Sequence, residues 1–86
     1  MNIYKKVFTA RCPADGEDIV YELEITSPIM IRVEAINVAL KATTVGFQEN
    51  IADDLSATFP GIVSLKGTHQ GVGIESVRGT YDLSEG

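Results

Sequence analysis

Two stretches near the N-terminus alternate between apolar and polar residues, and a short turn separates them. From Asn2 to Ala10, Ile3, Lys5, Val7 and Thr9 fall on one side and Tyr4, Lys6, Phe8 and Ala10 on the other. A period of two is the signature of a strand. Pro13-Ala14-Asp15-Gly16 is turn chemistry, with Pro presetting φ and Gly supplying a positive φ at the exit. Beyond it Ile19, Tyr21, Leu23 and Ile25 face one way and Glu22, Glu24 and Thr26 the other, a half-buried strand with a polar outer face. A chain that starts like this is committed to an antiparallel hairpin with one face in need of cover.

The cover comes from the next thirty residues. Ser27-Pro28 reads as an N-cap followed by Pro at the first helical position. The stretch from Ile29 to Val33 is ambiguous, while Glu34 to Ala42 is a better helix former with Val33, Ile36 and Leu40 on one stripe. Thr43, Thr44 and Gly46 break it. Phe47, Ile51, Leu55 and Phe59 then recur every four residues, with Ala52 beside them, so residues 47–58 form a second amphipathic helix. Its other face carries Glu49, Asn50, Asp53 and Asp54, and Pro60-Gly61 stops it. The segment IVSLKG alternates again, Gly67 to Gly71 supplies a turn, and GVGIESV is a fourth strand with Val72 and Ile74 facing alike. The expected fold is α+β in the order ββααββ: a four-stranded antiparallel sheet with two helices on one face. It occupies residues 1–78 as one domain, and residues 79–86 form a polar tail.

A chain of 86 residues buries only about 60–65% of its unfolded surface. Its sheet has two open edges, which invite pairing with a second copy. The apolar fraction of 44% and charged fraction of 22% are those of a folded soluble domain. A net charge of −5 with scattered basic residues argues against a nucleic-acid backbone or an anionic membrane as partner. The lone cysteine makes no internal disulfide and no leader precedes it, which points to a reducing cytoplasm. The longest apolar run, Pro28 to Ile31, is far too short to span a membrane.

Three local stretches carry a resemblance. Phe8-Thr9-Ala10-Arg11-Cys12-Pro13-Ala14-Asp15-Gly16 is similar to the Phe-Thr-Ser-x-Cys-Pro-x-x-Gly pattern of the 7-cyano-7-deazaguanine (preQ0) reductases. Phe47-Gln48-Glu49 resembles their Phe-His-Glu and the Gln-Glu of GTP cyclohydrolase I, a more distant relative. Thr68 to Ile74 resembles the reductases' Arg-Gly-Gly-Ile region. The chain therefore resembles the tunnelling-fold (T-fold) superfamily of purine- and pterin-binding enzymes over residues 3–78.

That resemblance implies a site. Glu49 would use its two oxygens to accept from the ring N–H and exocyclic amine of a guanine-like or pterin-like base, with Phe47, Gln48 and His69 beside it as ligand contacts. Cys12 would be the catalytic nucleophile, its thiolate adding to a nitrile before hydride arrives from NADPH. T-fold sites lie at subunit interfaces, so Asp15 and His69 could meet Cys12 and Glu49 from different copies. Read from the residues alone, Glu49 is equally a solvated acid at a helix start, Cys12 an inert buried thiol, and His69 a turn residue.

The catalytic partners depart from the family. The reductases' proton-donating Asp falls on Ile19, with Asp18 one place earlier and on the other strand face if the register holds. Their His is Gln48, and of their Lys-rich NADPH segment only Lys41 remains. Cofactor NADPH follows only if the reductase reading holds. A cyclohydrolase zinc site needs two cysteines and a histidine, so no metal is expected. Two functions stay open: a T-fold domain that binds a purine-like or pterin-like heterocycle at a subunit interface, enzyme or not, and a non-catalytic acidic module that binds a basic partner protein.

Overall fold

The computed structural model describes residues 1–79. Its elements are β1 (Asn2–Arg11), β2 (Asp18–Ser27), α1 (Val33–Ala42), α2 (Gln48–Thr58), β3 (Ile62–His69) and β4 (Val72–Arg78). The strands form one antiparallel sheet in the order β1-β2-β3-β4. This is the expected ββααββ arrangement, with the tail from residue 80 onward outside the described residues.

Register fixes which side chains meet the helices. Phe8 pairs with Tyr21, Leu23 with Leu65, Ile25 with Val63, and Gly67 with Ile74. Opposed residues share a face, so Tyr21, Leu23, Ile25, Val63 and Leu65 make one apolar floor and are almost completely buried. Ile36 and Leu40 of α1 and Ile51, Ala52 and Leu55 of α2 close over it, with Phe59 at the C-terminal end of α2. The opposite face carries charges of both signs, as where Lys5 stands across from Glu24 and Glu22 across from Lys66, with Ile3, Val7 and Val20 exposed among them.

Three local expectations are corrected. The first helix is capped by Arg32. Ser27 instead ends β2, where its buried hydroxyl donates to the Ile29 carbonyl at 2.7 Å and accepts from the Ile29 N–H at 3.1 Å. A serine before proline offers its oxygen to a turn as readily as to a helix, and the turn wins here. Val33, as the first residue of α1, lies 59% exposed, so only Ile36 and Leu40 of the expected stripe reach the core.

The turn expected over Gly67 to Gly71 is only two residues long. Gln70 and Gly71 have φ of 50° and 82°, the double positive φ that tight hairpin turns require. His69 is therefore the last residue of β3 rather than a turn residue. Gly67 sits buried inside that strand, where a Cβ would lie 2.6 Å from the Tyr21 ring and 3.2 Å from Gln48 Oε1. Its role is close approach rather than chain reversal. Gly67→Ala should destabilise the fold by about 1–3 kcal/mol, the usual cost of overpacking, read from the urea midpoint. Gly73→Ala, where an added Cβ meets nothing within 4 Å, should stay within about 0.5 kcal/mol.

Candidate functional site

The segment between the helices runs back along the end of β1. Arg11 N–H donates to the Thr44 carbonyl at 2.9 Å, Gly46 N–H donates to the Arg11 carbonyl at 3.0 Å, and Arg11 and Val45 form an isolated parallel bridge. These bonds place Cys12 beside the chain that enters Phe47-Gln48-Glu49. Two stretches 35 residues apart thereby share one corner of the sheet.

Cys12 is fixed by backbone bonds on both sides. Its N–H donates to the Glu17 carbonyl at 2.8 Å and its carbonyl accepts from Gly16 N–H at 2.8 Å. The residue is only 8% exposed, packed among the core side chains. Asp15, exposed in the same turn, accepts from Glu17 N–H at 3.0 Å and from the Gln70 amide at 3.5 Å. The Glu17 N–H holds the Asp15 carboxyl below its ordinary range against the opposing effect of desolvation, with smaller help from the Gln70 and Cys12 side chains. Asp15 thus links the tip of the first hairpin to the tip of the second, next to the thiol.

The third stretch joins through a buried amide. Gln48 opens α2 but turns into the protein, where its Nε2 donates to the Leu65 carbonyl at 2.8 Å and to the Ile74 carbonyl at 2.9 Å. Its Oε1 lies 2.7 Å from His69 Nε2. The same imidazole nitrogen is 3.5 Å from the Tyr21 hydroxyl, and the two rings stand 5.9 Å apart. Phe8 packs on the far side of Tyr21 at 5.4 Å. Burial, and then the neighbouring Cys12, push the Tyr21 hydroxyl pKa up, so this phenol stays protonated beyond its usual range.

Glu49 faces outward, its side chain 82% exposed, with Oε1 at 3.7 Å from an Arg78 guanidinium nitrogen. Arg78 makes its shorter contact, 2.7 Å, to Asp53. Phe47 is the N-cap of α2 and remains 50% exposed. The positions that would hold the reductases' catalytic partners carry other chemistry. Ile19 is 3% exposed in the core, while Asp18 pairs across the strands with Arg11 at 3.5 Å on the other face. Lys41, the basic residue in the last turn of α1, lines a surface cleft together with Lys6 of β1. Among the described residues no group of three or more His, Cys, Asp or Glu side chains is placed to hold a metal ion. A cleft of about 280 Å³ between β1 and α1 is lined by Tyr4, Leu23, Ile25, Val33 and Ile36 and includes none of the expected site residues.

No family model and no curated protein matches the sequence. A search of solved structures does find a match, to the archaeosine synthase QueF-Like in its apo form. The match has a TM-score of 0.67 at 17% identity and covers 90% of this chain and 89% of that one. The chain has the tunnelling fold. This likeness bears on the fold alone, and the tunnelling fold was the one implied by the three motifs.

Sequence reading missed Tyr21 and Gln70. Tyr21 looked like one more core position of β2, and only its pairing geometry brings its hydroxyl to His69. Gln70 looked like turn filler, yet it reaches Asp15. Gln48, expected to contact ligand, is 5% exposed and spends its amide on the protein. Gln48→Ala should therefore destabilise the domain by about 2–4 kcal/mol, since two strand carbonyls lose their donor and a cavity opens. Glu49→Ala should change stability by no more than about 0.5 kcal/mol, as is usual at the surface. Urea denaturation of the two variants side by side checks both.

Proposed function

We propose that this domain binds a planar purine-like or pterin-like heterocycle at a site to which Cys12, Phe47, Glu49 and His69 contribute. Glu49 accepts from the ring N–H and exocyclic amine of the ligand. The observation that carries this reading is the Arg11–Val45 bridge, because it sets the cysteine turn against the start of α2. The carboxylate next to it is open to solvent. Phe47 and Ile74, 50% and 41% exposed, flank the Gln48 tether and offer apolar surface for the faces of a ring. Gln48 supports the site from behind, and the tunnelling fold supplies the precedent for a heterocycle ligand.

Reduction by NADPH is left out of the proposal. Ile19 occupies the proton donor's place and Lys41 stands without basic neighbours in its turn. In this reading Cys12, 8% exposed in the free chain, acts as nucleophile only on ligands that carry an electrophilic carbon. A second copy, added along the open edges of β1 and β4, completes the walls of the site. A reducing cytoplasm suits a chain with one unpaired thiol; no described helix is long and apolar enough to cross a membrane.

The rival reading, an acidic surface that binds a basic protein, is less well supported. Arg78 already lies against both Glu49 and Asp53, so the acidic face of α2 is partly neutralised within the chain. Titration with guanine, preQ0 and neopterin, followed by thermal shift and tyrosine fluorescence, should raise the melting temperature with at least one of them. Glu49→Ala should abolish that response without lowering the melting temperature of the free protein. A flat response to all three at millimolar ligand would sink the proposal. Light scattering should give an oligomer, and a stable monomer would count against a shared site.

A further inference from the structure

The hydrogen bonds around Gln48 determine how His69 presents itself. Both amide hydrogens of Gln48 go to strand carbonyls, at 2.8 and 2.9 Å. The reverse placement of the amide would set its oxygen against two carbonyl oxygens, which no hydrogen bond could bridge. Gln48 Oε1 is therefore an acceptor, and the His69 nitrogen 2.7 Å away must be the donor. Neutral imidazole carries one N–H, so with the proton on Nε2 the Nδ1 atom is an acceptor. Among the described residues Nδ1 has no hydrogen-bond partner, although the ring is half-buried.

We propose that His69 Nδ1 is a specificity-determining acceptor that takes an N–H from the ligand, held in that state by Gln48. The inference rests on the heterocycle reading above and adds to it. Glu49 accepts from the donor edge of the six-membered ring, and His69 demands a second N–H elsewhere on the same ligand. In a purine skeleton the N–H of the five-membered ring is the donor set farthest from the edge that Glu49 reads, and it is the one assigned to His69. The Tyr21 hydroxyl lies 3.5 Å from the same Nε2, on the side of the imidazole away from Nδ1. The ligands selected are free bases with an unsubstituted ring N–H, and those alkylated there are rejected.

The test uses 7-deazaguanine, whose five-membered ring has a single N–H, and its 9-methyl derivative, in which that donor is blocked. Wild-type protein should bind 7-deazaguanine about tenfold more tightly than the methylated compound, the usual loss when one hydrogen bond goes and its partner is left unpaired. Asn places its amide where imidazole has Nδ1, and Gln places its amide where imidazole has Nε2. His69→Asn should therefore keep the preference for the unmethylated ligand while losing thermal stability. His69→Gln should keep stability through Gln48 and bind the two compounds equally. Equal binding by the wild type, or a preference retained in His69→Gln, overturns the role of His69 while the Glu49 reading stands. Failure of 7-deazaguanine itself to bind, or unchanged binding by Glu49→Ala, overturns both. Because the chain has one histidine, nitrogen-15 labelling of that residue type reports the tautomer directly. A free protein with its proton on Nδ1 also overturns the proposal.

Discussion

One buried carboxamide ties the second helix to the last two strands of the sheet. Gln48 reaches from the first turn of α2 to carbonyls on β3 and β4 and to the imidazole of His69. Its bond to the Leu65 carbonyl is fully buried, and leaving such a group without its partner costs about 1–3 kcal/mol; the bonds to Ile74 and His69 are half-buried. The helix start, the last turn of the sheet and the orientation of the histidine therefore stand or fall together. Gly67 is a condition of this arrangement, since any side chain there would occupy the space of the Tyr21 ring.

The fold was legible because its elements have unambiguous periods. Ile19, Tyr21, Leu23 and Ile25 alternate without interruption, and Phe47, Ile51, Leu55 and Phe59 repeat every four residues. Boundaries were less so. Ser27-Pro28 carries the same local chemistry in a turn as in a cap, and nothing short of the neighbouring strand decides between them. Gly67 misled for a related reason, because glycine serves both chain reversal and close packing and the sequence does not say which.

The candidate site was legible only in pieces. Cys12, Glu49 and His69 could each be picked out by motif, but no spacing in the sequence announces that Thr44 to Gly46 would bond to Arg11. Gln48 shows the limit most clearly. As a letter it seemed a weakened catalytic position, whereas its partners make it a structural tether. Tyr21 shows the converse: a core residue by pattern whose hydroxyl borders the site. Polar side chains acquire roles from their partners, and those partners come from other elements.

The bridge at Arg11 also governs how the sheet can grow. Along β1 the backbone groups that point away from β2 alternate, and since those of Arg11 do so, the same parity leaves Ile3, Lys5, Val7 and Thr9 outward. At Arg11 both groups are already taken by Thr44 and Gly46. A strand arriving from another molecule can zip along the edge as far as Thr9 and no further. The inter-helix segment thus acts as a stop that limits the length of any such addition and keeps the incoming strand from pairing beside Cys12.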